Sequence, residues 1–376
     1  MDDPGIMSDA RSADDSMYLE RARHLAQKGW GQVHPNPMVG CVLVKDGRVV
    51  GEGYHEVFGG PHAEIVALGR ALGHAGGATA YVSLEPCNHH GKTPPCAQAL
   101  IDAGVERVVY GAADPGPASG GGGETLRTAG VQVDGPLWTT SQARAENPEF
   151  FHLAVHETPF VALKLAMTMD ARIAAAAGER TRVTGPEAEQ EVHRLRSGFD
   201  AVMVGAGTVA ADDPRLTVRL APPGREPTRR VVLLPDADLA TGAALFADVA
   251  ESPLHVFCRD DASEGSMERL ESAGAHVHPV RGEGDHLDLG AVLAVCREVG
   301  IRSVFCEGGR ALADSLLRGR HVHRFYLLVA PNTFGAAGVP AFGPDSDLLD
   351  WSDFEASGSP RAFGRDTLIV LDRRED

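Results

Sequence analysis

Basic residues are in short supply. Lys and Arg number 35 against 52 Asp and Glu, so the 376-residue chain carries a formal charge of −17 at pH 7. Counterion release from a nucleic-acid backbone needs clustered Lys and Arg, so general binding to duplexes or tRNA is excluded. Long apolar runs are missing too. No stretch of 18 or more apolar residues occurs, and the start, with Asp2, Asp3 and Asp14, lacks the charged-then-apolar design of a secretory signal. A cytoplasmic protein with no membrane partner is expected. Cysteine is sparse: positions 41, 87, 96, 258, 296 and 306 are too few and too scattered for a disulfide framework.

What is present is material for two cores. Hydrophobic residues make up 43% of a chain longer than one core usually serves, and two domains follow as the expectation. The chemistry concentrates between Gly59 and Cys96, where Pro61-His62-Ala-Glu64 is followed by Glu85-Pro86-Cys87 and then Cys96. One imidazole and two thiolates form the ligand set of an open zinc site. His62, Cys87 and Cys96 are the predicted ligands of one Zn2+ per chain, and Glu64 is the predicted catalytic base. Residues i and i+2 do not share a face in mid-helix, so His62 and Glu64 can serve one ion only from a first helical turn, which Pro61 begins. Pro86-Cys87 also suits a helix start, where orphan amides favour a thiolate. His-x-Glu, then Pro-Cys, then a second Cys is the pattern of zinc-dependent base deaminases, although eight residues rather than two separate the cysteines. The alternative is a closed structural site that recruits His89 or His90 from that loop.

Along the chain, residues 1–15 are polar and acidic and predict a disordered leader. Helical spacing from Met17 to Lys28, with Ser16 as N-cap, precedes a proline-broken loop around Asn36. Met38–Lys45 and Arg48–Gly53 flank Asp46-Gly47, a hairpin signal. Alternating helix and strand patterns then predict a largely parallel α/β sheet, with the ligands at strand ends. The glycine-rich stretch 114–123 has the composition of a flexible linker, but helix and strand patterns at Thr125–Ala129 and Val131–Val133 keep it inside the first domain. The predicted domains are 16–156 and 157–376. In the second, Gly205-Ala-Gly207-Thr-Val-Ala210 matches a dinucleotide fingerprint formally, but Asp212-Asp213-Pro214 is expected to break the helix that should follow. Glu307-Gly-Gly309-Arg310 joins a strand to a helix and predicts either a phosphate cradle or a plain tight turn.

Three segments, His34-Pro-Asn36-Pro-Met-Val-Gly-Cys41, Pro61-His-Ala-Glu64 and Glu85-Pro-Cys-Asn-His-His-Gly-Lys-Thr-Pro-Pro-Cys96, resemble the deaminase half of the bifunctional riboflavin-biosynthesis deaminase/reductase family. Leu163-Lys164-Leu-Ala-Met-Thr-Met-Asp170-Ala-Arg172, Val204–Arg219 and Cys306-Glu307-Gly-Gly-Arg-Ala-Leu312 resemble its reductase half. The implied fold is α/β throughout: an N-terminal cytidine-deaminase-like three-layer domain and a C-terminal dihydrofolate-reductase-like domain. The implied reactions are zinc-dependent deamination of 2,5-diamino-6-(5-phosphoribosylamino)pyrimidin-4(3H)-one, then NADPH-dependent reduction of its ribosyl group to ribityl. The expected partners are this small phosphorylated substrate and further copies of the chain in a homo-oligomer.

Carried over by position, Arg196, Leu216, Arg219 and Glu307 are implied substrate contacts; Asn36, Lys164 and Arg180 are candidate substrate contacts on their own chemistry, with His89 and Lys92 as further possibilities. Ala166, Thr208, Asp212, Gly309, Arg310, Ala311, Leu312, Ala313, Asp314 and Ser315 are implied NADPH contacts, and Arg182 is a candidate partner for a cofactor ring or phosphate. Two departures stand out. The family commonly has Asp-Gly-Arg where this chain has Asp170-Ala171-Arg172, and Ser-x-Trp where it has Arg180-Thr-Arg182. A second domain with another substrate, or one used only for binding or oligomerisation, is the alternative.

Overall fold

The run Cys41-Val-Leu-Val44 is apolar at four successive positions because its strand is covered on both faces. Cys41 and Leu43 enter one cluster, Val42 and Val44 the other. A computed structural model describes residues 4–89, 94–218, 227–283, 286–343 and 351–374, and divides the chain into two units, Met1–Val155 and His156–Asp376.

In the first unit, β1 (Gly40–Lys45) pairs antiparallel with β2 (Arg48–Tyr54) and β3 (Thr79–Leu84). β4 (Arg107–Ala112) and β5 (Gln132–Asp134) extend the sheet in parallel, in the order β2-β1-β3-β4-β5. Asp46 and Gly47 join β1 to β2 with φ of 51° and 70°, the twist that a two-residue hairpin turn requires. α1 (Pro4–Ala26) covers one face through Leu19, Ala22 and Leu25. α2 (Ala63–Arg70), α3 (Cys96–Asp102) and α4 (Gly122–Thr128) cover the other through Ala67, Leu100 and Leu126, making three layers. α5 (Thr140–Glu146) and α6 (Pro148–Val155) follow, the former opened by a Thr139/Gln142 capping box.

The second unit is built on β6 (Phe160–Thr168), followed by β7 (Arg172–Ala174), α7 (Pro186–Arg196), β8 (Ala201–Gly205), α8 (Ala206–Asp212), β9 (Arg229–Leu233), β10 (Leu254–Arg259), α9 (Glu264–Ser272) and β11 (His276–Val280). A two-residue pair, β12 (Gly282–Glu283) and β13 (His286–Leu287), leads to α10 (Leu289–Glu298), β14 (Ser303–Cys306), α11 (Arg310–Arg318) and β15 (Arg324–Ala330). β16 (Val339–Pro340) pairs with β7, and β17 (Phe354–Ala356), β18 (Arg361–Phe363) and β19 (Asp366–Arg373) close the chain. The main sheet runs β11-β10-β9-β8-β14-β6-β15-β19-β17 and is parallel from β11 to β15. Strand order reverses at β6, which has β14 on one side and β15 on the other. Such a reversal is where open α/β sheets place ligand crevices. No described helix is long and apolar enough to cross a membrane.

Two expectations need correction. Residues 4–15, read as a disordered leader, continue the helix, which starts at Pro4 rather than after Ser16. Their composition carries no apolar stripe, and the anchor is instead polar. The buried Asp15 carboxylate accepts from Arg107 Nη1 (2.8 Å), Arg107 Nη2 (2.7 Å) and the Tyr81 hydroxyl (2.9 Å), while Arg107 Nε donates to Asp134 (2.7 Å). A helix does follow Gly205. α8 fits ahead of the Asp213-Pro214 break and stops there, with Asp213 at φ 40°.

Asp15→Ala is expected to destabilise the first unit by about 2 kcal/mol, since Arg107 keeps Asp134 but loses its buried carboxylate, and the Tyr81 hydroxyl loses its acceptor. A urea titration finding less than about 1 kcal/mol, as for an exposed ion pair, would contradict the anchor.

Candidate active sites

Three chain segments meet beyond the end of β3. His62 is the N-cap of α2, Cys87 lies just past β3, and Cys96 opens α3 behind Pro95. Their ligand atoms lie within 4.8 Å of one another. His62 Nδ1 is 3.3 Å from Cys96 Sγ and 3.5 Å from Cys87 Sγ, and the Cys96 amide donates to Cys87 Sγ at 3.4 Å. The sulfur of Cys87 therefore faces the amide end of α3, where negative charge is favoured. Donation from Cys96, joined by His62, pulls the Cys87 thiol down to about 4. The Cys96 thiol moves up because it is the donor and is buried. One thiolate thus forms readily, and a soft dication stabilises the second. Glu64 is 3% exposed in the first turn of α2; burial, then the nearby Cys87, pushes its carboxyl up to about 7. The donor set and the adjacent acid suit zinc.

A buried histidine beside this cluster gives no motif in the sequence. His55, in the loop after β2, contacts the Pro61 carbonyl through Nδ1 at 3.0 Å, so Nδ1 carries the proton. Its Nε2 must then accept, and it does so from Asn36 Nδ2 at 3.1 Å, which fixes the orientation of that amide. Burial lowers the pKa of His55 and keeps it neutral. The stretch 114–123 is anchored to the same region: Glu85 accepts from the Asp114 amide (3.2 Å) and the Gly123 amide (2.8 Å). A Cβ at Gly122 would meet the Pro86 carbonyl at 1.8 Å, so glycine permits α4 to start against the Pro86-Cys87 backbone. This is a packed loop, not a linker. His89 is exposed, and Lys92 lies outside the described residues.

The second cluster forms where β6 and β14 run side by side. Leu163 is paired with Cys306, so Lys164 and Glu307 become neighbours, with Lys164 Nζ 3.9 Å from Glu307 Oε2. Arg196, the last residue of α7, grips Glu307 with Nε and with Nη2 (2.9 Å) and donates from Nη1 to the Thr217 carbonyl (3.4 Å). Its fork is engaged, which suits orienting Glu307 better than receiving a phosphate. Burial works against the Glu307 charge, but Arg196 and Lys164 outweigh it and hold the carboxyl low. Lys164 shifts down through burial, against the pull of Glu307.

Next to this cluster, Gly308 and Gly309 adopt φ of 77° and 62°, and Thr208 of α8 donates to the Gly308 carbonyl at 3.3 Å. Arg310 then begins α11, whose first amides face outward from the turn. Leu312 and Ala313 turn their side chains into the core, as does Leu216, so contacts to a ligand from these positions use the backbone. Ala166 lies on β6 and Asp212 ends α8. Arg182 forms a bidentate pair with Glu189 of α7 (2.6 Å each), and Arg180 is exposed in the same loop. Arg219 lies outside the described residues.

Residues 12–112 match the family model described as the cytidine and deoxycytidylate deaminase zinc-binding region, and residues 159–359 match the RibD C-terminal domain. The chain is 39% identical to the riboflavin biosynthesis protein RibD of Aquifex aeolicus, over 85% of this chain and 88% of that one. It is also 39% identical to RibD of Escherichia coli, over 86% and 89%. Among solved structures, Acinetobacter baumannii RibD superposes with a TM-score of 0.78 at 31% identity, covering 96% of this chain and 99% of that one. The Thermotoga maritima deaminase/reductase gives the same values. The chain belongs to the RibD family.

It is a bifunctional riboflavin-biosynthesis enzyme with a zinc-binding deaminase domain followed by a reductase domain. The deaminase domain expected first and the reductase domain expected second are the two matched, and both units are α/β. One departure of this chain from the resemblance now has a structural measure. Ala171 sits at φ 55° in the turn after β6, where Thr168 and Asp170 tie the backbone of Arg172 and of residues 334–335. Left-handed backbone penalises alanine relative to glycine. Ala171→Gly is expected to stabilise the second unit by about 1 kcal/mol after the entropy of glycine in the unfolded chain is subtracted. Urea unfolding that shows a loss instead would mean the turn relaxes at no expense with alanine.

Proposed function

We propose that the first site removes the ring amino group of 2,5-diamino-6-(5-phosphoribosylamino)pyrimidin-4(3H)-one, with one zinc ion held by His62, Cys87 and Cys96. The second site then reduces the ribosyl group of the product to ribityl with NADPH. The buried position of Glu64 beside three converging ligand atoms is the observation that carries the first reading.

Held by His62, Cys87 and Cys96, a zinc ion would supply a water acidic enough to act as a nucleophile near neutral pH. The protein supplies the rest. Glu64 takes one water proton and delivers it to the ring nitrogen as the oxygen bonds to the ring carbon, then moves the remaining hydroxyl proton to the amine, so that the C–N bond breaks, ammonia leaves and a ring carbonyl forms. Asn36, with its amide oriented by the neutral His55, offers its carbonyl oxygen to a ring donor. Exclusion of bulk water around Glu64 strengthens each of these contacts.

At the second site Lys164 and Glu307 orient the opened sugar, and Arg196 holds Glu307 in place. The amides that begin α11 at Gly309–Ser315, with Thr208 and Asp212 of α8, receive the cofactor, its phosphates favouring the positive end of the helix. Positive φ at Gly309 lets the backbone approach such a group without a side chain in the way. Ala166 and Arg182 complete the cofactor contacts, Arg182 after release from Glu189.

Glu64→Gln keeps the shape and removes the proton carrier. It is expected to lower ammonia release by about 10³-fold while zinc content, measured by elemental analysis, stays at one per chain. NADPH oxidation on supplied deaminated product should continue unchanged. Undiminished ammonia release would overturn the role given to Glu64.

A further inference from the structure

A charged group sits where the reaction does not need one. Arg230 lies on β9, inside the sheet of the second unit, and its side chain is fully buried. Its donors go to carbonyls of three separate segments. Nε and Nη2 reach Ser252 (3.0 and 2.5 Å), and Nη1 reaches Leu245 (2.5 Å) and Arg215 (3.3 Å). No carboxylate hydrogen-bonds to it among the described residues. Burial lowers its pKa against the attraction of Asp248. A buried charge compensated only by dipoles costs stability, so its value has to be sought in what it holds.

What it holds is the segment that follows α8. Arg230 grips the Arg215 carbonyl from the core, and Arg196 grips the Thr217 carbonyl from the side of Lys164 and Glu307. Between them Leu216 is buried at φ 56°, a conformation that a leucine keeps only where its surroundings impose it. A third tie sits at the surface, where Asp213 accepts from the Ala244 amide at 2.8 Å. The Leu245 carbonyl on Arg230 belongs to this same 244–245 segment, so both ties join one turn to one support.

We propose that Arg230 is a positioning residue of the reductase site. It fixes the turn through Leu216 so that the Thr217 carbonyl meets Arg196, and through Arg196 it sets the Glu307 carboxylate. The inference rests on the reading of Glu307 and Leu216 as parts of the substrate site, and it adds a residue on the far side of that turn. Its consequence is selective. Loss of Arg230 should disturb the sugar side of the site, while the cofactor cradle at α11, which Arg230 does not touch, keeps its shape.

The test uses the full zinc-loaded chain with the deaminated phosphoribosyl substrate and NADPH. Arg230→Met, similar in length and uncharged, is expected to raise the KM for that substrate about tenfold, the scale of a small misplacement in a site. The KM for NADPH and the rate of ammonia release should not change. Arg230→Lys, which keeps the charge but cannot span three carbonyls, should fall between. An unchanged substrate KM in the folded Met variant, or a parallel loss for substrate and NADPH, would overturn the proposal. Should the Met variant not fold, Asp213→Ala cuts the exposed tie of the same turn and must raise the same KM; no rise there also overturns it. Failure of the wild-type chain to oxidise NADPH with this substrate would instead defeat the reading of the second site.

Discussion

The first site depends on one electrostatic constraint: two sulfurs and a carboxylate are gathered close together, with Cys96 and Glu64 buried and Cys87 half-buried. Each negative charge there opposes the others, and the fold offsets this only in part, by aiming the amide end of α3 at Cys87 and by placing His62 between the two cysteines. A dication shared by the imidazole and both thiolates, as proposed, would resolve the remainder and leave Glu64 uncoordinated. Much of the first unit serves that gathering. The start of α2, the end of β3 and the start of α3 must coincide, and the 114–123 loop, tied to Glu85, closes the backbone behind them.

The second site follows a different rule. Its charges are of both signs and already paired, Lys164 and Arg196 around Glu307, so it is set before any ligand arrives. Register does this: pairing Leu163 with Cys306 puts the next residue of each strand side by side. The glycines after β14 then turn the chain so that α11 begins at the edge of the cluster. A site organised this way is pre-formed, in keeping with the large share of catalysis that oriented charges provide.

The parts legible in the sequence were those with local causes. His-x-Glu declares a helix start and Pro-Cys a candidate metal donor, although the helix expected at Pro86-Cys87 opens instead at Cys96 behind Pro95; Asp46-Gly47 declares its turn, and the strands of the core declare themselves by apolar runs. What could not be read depends on distant partners. Residues 4–15 show no amphipathic pattern, since the helix is held at Asp15 by Arg107, a residue in the middle of the sheet. His55 is a lone histidine until Asn36 and Pro61 are seen on either side of it. Arg196, implied as a substrate contact, has its fork taken by Glu307, a residue 111 positions away that no local pattern pairs with it. The helix after Gly205 has room to form because the Asp213-Pro214 break falls only after Asp212.

X-ray absorption at the zinc edge of the metal-loaded protein tests the central claim most directly. The account predicts one imidazole nitrogen at about 2.0 Å, two sulfurs at about 2.3 Å and one exchangeable oxygen in a four-coordinate shell. A shell filled by a fourth protein ligand, or a single sulfur with a carboxylate in its place, would contradict it.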